Sequence, residues 1–237
     1  MPLSNNLTKS LGFNAYQLFH METEDAKQNC MQELNRRYSA DFLIGLLENS
    51  AELIEAQVLN VSTELYKPHG TSVTMLVAEQ RNTILGHLDK SHLTVHTYTD
   101  LQADHPICSF RLDFDLASCG SVTPLTTLPL LFDQIVCHLA TIDYRVRGYS
   151  TEGDRLIFND QPIGSILDFI PGEQLSRYEC CNSDLPEHNL YHSKLVLKEM
   201  KRENHFAESK QLGSVGEPQE VELNRVQEQM KQLFDGL

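Results

Sequence analysis

Residues 108–118, CSFRLDFDLAS, alternate strictly: Cys108, Phe110, Leu112, Phe114 and Leu116 are apolar, while Ser109, Arg111, Asp113 and Asp115 are polar. Successive side chains of an extended chain point to opposite faces, so this pattern predicts a strand with one buried face and one open face. A sheet of such strands needs covering on one side only, which favours antiparallel pairing under a single helical layer. SVTMLVA from Ser72, SHLTVHTY from Ser91, TIDYRVRGY from Thr141 and HSKLVLKEM from His192 predict further strands.

The covering layer is also written in the chain. Residues 25–56 read as two helices, and in the second Phe42, Leu43, Leu46, Leu47, Leu53 and Ile54 recur on one side. PLTTLPLLFDQIVCHLA predicts a helix starting near Pro124 or Pro129, where a missing N–H is tolerated. GDRLIFNDQPIG, from Gly153, reads as a hairpin followed by a short helix. Residues 200–219 are polar, carry GSVGEPQE, and read as an exposed linker. Beyond them Leu223, Val226, Met230 and Leu233 mark an amphipathic terminal helix. The fold class predicted is a two-layer α/β sandwich: a mainly antiparallel sheet covered by helices on one face.

With 33 acidic against 19 basic residues, the formal charge is −14. Nucleic acid and anionic membranes require a basic footprint, so neither is an expected partner, whereas a cationic small molecule suits this surface. No apolar run approaches bilayer length, and the N-terminus lacks a basic start followed by an apolar stretch, so a cytoplasmic protein is expected. The six cysteines, Cys30, Cys108, Cys119, Cys137, Cys180 and Cys181, are scattered as free thiols of a reducing compartment would be.

Chemistry concentrates in residues 87–97, HLDKSHLTVHT. As a regular strand, SHLTVHTY puts Ser91, Leu93, Val95 and Thr97 on one face and His92, Thr94, His96 and Tyr98 on the other. Ser91 and His96 then point apart unless Ser91 lies at a bend. A solvated strand end is the plain reading, and three active ones compete with it. A serine hydrolase needs a base, an orienting acid and usually a G-x-S-x-G turn, which is absent. Zinc held by His87, His92 and His96, or by Cys180, Cys181, His188 and His192, lacks suitable ligand spacing. The third is self-processing. The Ser91 hydroxyl attacks the Lys90 carbonyl to form an ester, loss of the Ser91 α-proton eliminates it, and the dehydroalanine hydrolyses to a pyruvoyl group with release of ammonia.

NNLTKSL near the start, YKPHGTSVTMLVAE, HLDKSHLTVHTY, SCGSVTPL, TIDYRVRGY and YHSKLVLKE occur in this order over residues 5–199. Together they resemble the bacterial S-adenosylmethionine decarboxylase proenzymes, specifically the larger, enterobacterial-type class. The resemblance implies cleavage between Lys90 and Ser91, into a β chain of residues 1–90 and an α chain of residues 91–237. It implies a decarboxylase-like domain over 1–199, with linker and terminal helix over 200–237. Ser91 becomes the pyruvoyl group, which binds the substrate amine as a Schiff base. His96 is the proton acceptor in processing, Ser72 assists processing by hydrogen bonding, and Cys119 is the proton donor in decarboxylation.

Tyr66, in the family's Y-x-P-x-G position, is implied to stack on adenine. Asp100, in HTYTD, stands where the family commonly has a glutamate that binds the ribose hydroxyls, and an aspartate also accepts two hydrogen bonds. The activity implied is conversion of S-adenosylmethionine to its decarboxylated form and carbon dioxide, for spermidine synthesis, by a homo-oligomer of processed pairs. Magnesium stimulation is implied as well, although no carboxylate cluster stands out in the sequence as its site. A pyruvoyl-dependent arginine or ornithine decarboxylase and a silent regulatory subunit are the alternatives, the latter disfavoured by the presence of Ser91, His96, Ser72 and Cys119.

Overall fold

The computed structural model describes residues 6–67, 69–78, 91–101, 105–119, 121–152, 154–157, 163–201 and 220–236. Strand β1 (Asn6–His20) is followed by helices α1 (Glu24–Arg37) and α2 (Ala40–Leu53). Strands β2 (Gln57–Leu65), β3 (Thr71–Ala78), β4 (Ser91–Asp100) and β5 (Ile107–Ser118) come next. A 3-10 turn (Pro124–Thr127) leads into α3 (Leu128–Gln134), β6 (Leu139–Glu152) and β7 (Arg155–Ile157). The chain ends with α4 (Gly172–Leu175), β8 (Tyr178–Asn182), β9 (Leu190–Leu197) and α5 (Glu220–Gly236).

One antiparallel sheet runs β2-β3-β4-β5-β1-β6-β9-β8, with β7 paired to β6. The alternation in β5 works as its sequence predicts: Phe110, Leu112, Phe114 and Leu116 are buried, and Arg111 and Asp113 are half-buried on the other side. Helices α1, α2 and α3 supply the cover. Thr23 and Ser39 cap the first two, accepting from the Ala26 and Phe42 amides at 3.2 and 3.4 Å. At the corner between them the buried Tyr38 stacks on Phe110, with ring centroids 4.8 Å apart. Its hydroxyl accepts from Gln17 Nε2 at 2.8 Å and the Val136 amide at 3.3 Å, pinning the helical layer to the sheet.

The helix expected from Pro124 is shorter than its apolar run. It stops at Gln134, because Ile135 and Val136 are β-branched and turn the chain toward β6. The terminal helix buries Leu223, Val226 and Met230, while Leu233 remains largely exposed. It anchors through Gln227 Nε2, which donates to the Leu197 carbonyl at 3.0 Å, and through Lys194 Nζ, which donates to the Phe234 carbonyl at 2.6 Å. Most of the expected linker, 202–219, and part of the expected hairpin, 158–162, lie outside the described residues.

The sheet face away from α1–α3 carries a polar field across its middle. At one level Ser72, His96, Asp113 and Asn14 are register neighbours on β3, β4, β5 and β1. At the next, Thr74, Thr94, Asp115, Gly12, Asp143 and His192 follow across six strands. Gly12 places no side chain between Asp115 and Asp143, and an added Cβ would lie in ordinary contact, 3.4 Å from Asp115 Oδ1.

Candidate active site

Ser91 is the first residue of β4 and is 1% exposed, its side chain in the buried phase with Leu93 and Val95. Its Oγ accepts a hydrogen bond from the Cys119 amide at 3.2 Å, so the β4–β5 pairing joins residues 28 positions apart. Cys119 follows the end of β5, and its Sγ lies 3.5 Å from Thr8 Oγ1 on β1. Beside it the buried Lys9 donates from Nζ to the Ser121 carbonyl at 3.0 Å, tying the chain after β5 to β1. Lys90, His87 and Gly120 lie outside the described residues.

This arrangement suits an attack by Ser91 on its own preceding carbonyl. A backbone N–H aimed at Oγ favours negative charge developing on that oxygen as its proton leaves. Burial keeps out the water that would hydrolyse an ester before it is eliminated. Thr8 and Lys9 carry no catalytic motif of their own. Lys9 had a signal, being a charged residue in the apolar phase of Leu7, Leu11 and Phe13. Thr8 had none, since only the fold brings it to a cysteine 111 residues away.

His96 does not join Ser91. It lies five positions along a regular strand, about 16 Å away at the usual rise, and on the opposite face. It joins Ser72 instead, its register partner on β3, and faces Asp113 on β5. The neighbouring Tyr98 stacks on the His96 ring at 6.3 Å between centroids, and the Arg111 guanidinium sits 4.3 Å over Tyr98. Arg111 Nε is 2.9 Å from Asp113 Oδ1. Burial nevertheless pushes the Asp113 carboxyl above its ordinary range; Arg111 opposes that rise and Asp115 adds to it. Asp115 is raised by burial too, with His96 and His92 pulling it down.

Tyr66 and Asp100 belong to the His96 end. Tyr66 follows β2, is exposed, and donates from its amide to the Gly70 carbonyl at 2.9 Å. Asp100 ends β4, nine positions and about 30 Å from Ser91. The residues singled out in the sequence therefore form two groups at opposite ends of one sheet: Ser91 with Cys119, and Ser72 with His96, Tyr66 and Asp100.

The other metal readings find no gathered ligands among the described residues: His192 pairs with Asp143 at 2.7 Å, and Cys181 is exposed while Cys180 is half-buried.

The family model described as S-adenosylmethionine decarboxylase matches residues 28–148, which include Ser72, Ser91, His96 and Cys119. An S-adenosylmethionine decarboxylase proenzyme of Clostridium beijerinckii is 35% identical over 98% of this chain and 94% of its own. The chain belongs to the S-adenosylmethionine decarboxylase family. Proenzymes of the same name from Clostridium perfringens and Chromohalobacter salexigens are each 34% identical, covering 98% and 97% of this chain and 94% of their own lengths. Among solved structures, the adenosylmethionine decarboxylase of Aquifex aeolicus is similar at 14% identity and a TM-score of 0.35, over 67% of this chain and all of that one. In this family member the Ser91–Cys119 contact and the Ser72–His96 register pair stand at opposite ends of β4.

Proposed function

We propose that this chain is a self-processing, pyruvoyl-dependent decarboxylase of S-adenosylmethionine, of the larger bacterial class, acting in the cytoplasm to supply an aminopropyl donor for spermidine synthesis. The observation that carries the reading is the hydrogen bond from the Cys119 amide to Ser91 Oγ, at a buried serine that opens a strand. In processing, Ser91 Oγ displaces the amide nitrogen from the Lys90 carbonyl. Removal of the Ser91 α-proton then releases Lys90 as a carboxylate, and water replaces nitrogen as ammonia leaves. Once formed, the ketone at position 91 supplies the electron sink that an α-amino acid carbanion requires. The Cys119 thiol, oriented by Thr8, delivers the proton to the substrate α-carbon.

The two separated groups are reconciled by a homo-oligomer. Alternation along β5 and β1 directs Cys119 and Thr8 to the same sheet face as His96. Two copies meeting through that face about a two-fold axis place the Ser91 end of one against the His96, Ser72, Tyr66 and Asp100 end of the other. The Asp113, Asp115 and Asp143 carboxylates between those ends give a field that favours the cationic sulfonium of the substrate. Among the described residues, the one group of side chains placed to hold a metal ion includes an imidazole.

The test is intact-mass measurement on freshly purified protein, coupled to carbon dioxide release from S-adenosylmethionine, arginine and ornithine. Two fragments split after Lys90 are expected, the larger lighter by one ammonia than a hydrolysis fragment beginning with Ser91, with release from S-adenosylmethionine alone. A folded chain that stays whole would overturn the reading. Release from arginine or ornithine would reassign the substrate.

A further inference from the structure

We infer that His20, Glu22 and Glu222 form a binding site for a first-row divalent ion of the manganese or zinc type, which clamps the terminal helix to the end of the central strand. Each residue offers one ligand atom, and these atoms all lie within 4.8 Å of one another. They come from three places: the last residue of β1, the irregular segment between β1 and α1, and the first turn of α5. The His20 side chain is 1% exposed and the Glu222 side chain 26%, while Glu22 is exposed and leaves the site open to water on one side. One neutral imidazole with two carboxylates offsets a dication, and three protein ligands with an open position match a transition ion better than magnesium, which demands an oxygen octahedron.

The surroundings say which ring nitrogen is used. His20 Nδ1 faces Glu222, with Oε1 at 3.9 Å, and Arg225 Nη1 approaches Nε2 at 3.4 Å. An ion on Nδ1 leaves the ring proton on Nε2, where it opposes the Arg225 guanidinium, so Arg225 swings out as the ion enters. Arg225 is therefore a competing cation. A metal site and a plain ion-pair clasp thus make opposite predictions for its removal, because neutralising Arg225 weakens a clasp and strengthens an ion site.

The experiment uses full-length purified protein stripped with a chelator and titrated with manganese chloride, followed by electron paramagnetic resonance of the free ion and by Tm. Manganese is the probe because it disfavours thiolates, which keeps Cys180 and Cys181 out of the readout. One ion per chain is expected, with a Tm rise of about 5 °C at a hundredfold excess over Kd. Glu222→Gln and Glu22→Gln, both on partly exposed residues, should each weaken binding at least about tenfold. Arg225→Gln should tighten it several-fold. Absence of binding at millimolar manganese, or binding that both glutamine variants leave unchanged, would overturn the site, as would weaker binding in Arg225→Gln.

Discussion

A pair of variants tests whether the two halves of the site act across copies. Ser91→Ala removes the hydroxyl that must attack, so a chain carrying it stays whole. His96→Ala removes the proposed proton acceptor and leaves Ser91 and its Cys119 amide contact in place. Within one chain His96 stands about 16 Å from Ser91 on the other face, against the roughly 3 Å needed for proton transfer, so its help cannot be local. When equal amounts of the two variants are co-expressed and pair at random, half the pairs are mixed. In each mixed pair the His96→Ala chain meets an intact His96 on its neighbour, so about one quarter of all chains should be cut. Distinct affinity tags and intact-mass measurement show which chain was cleaved, and every cut chain must carry alanine at 96. Two results would refute the reasoning. If His96→Ala alone processes normally, His96 has no part in cleavage. If the mixture remains whole while each variant folds, His96 works within its own chain.

Three further outcomes follow from the same geometry. Cys119→Ala keeps the amide that contacts Ser91 and loses only the thiol, so cleavage should proceed while turnover falls by about 100- to 10,000-fold, measured as carbon dioxide release. Gly70 has φ +120° and an added Cβ would lie 3.0 Å from the Thr97 carbonyl oxygen, so Gly70→Ala should cost about 2 kcal/mol, a Tm fall of roughly 4–8 °C by calorimetry. The raised Asp113 carboxyl binds its proton more tightly in the folded than in the unfolded chain, so its contribution to stability declines as pH rises from the ordinary carboxylate range through the raised value. Urea titrations between about pH 4 and 7 should therefore show Asp113→Asn gaining stability relative to the parent as pH rises, and a relative loss would contradict the assigned cause.

How far the fold is legible depends on whether each strand has one buried face. In β5 one face is buried and the other is not, so Phe110, Leu112 and Phe114 announce the strand, and with it the sheet and its helical cover. Strand β2 is an edge, exposed along most of its length, and so QVLNVSTEL shows no buried phase to read. The central β1 is illegible for the opposite reason. Its buried phase contains Lys9 and Gln17, which are buried because Ser121 and Tyr38 satisfy them, and no local pattern in the sequence names those partners.

The same limit governs the site. Ser91, His96, Ser72 and Cys119 are each visible in the chain, but their grouping is a property of register. β3, β4 and β5 align Ser72 with His96 and Asp113 while carrying Ser91 to the far end beside Cys119. A shift of one residue in β4 would turn His96 toward the core and Ser91 toward the open face. The apolar residues Leu93 and Val95, both fully buried between the flanking strands, forbid that shift. Core packing thus fixes which face of the sheet each catalytic candidate occupies, through hydrophobic alternation in a ten-residue strand.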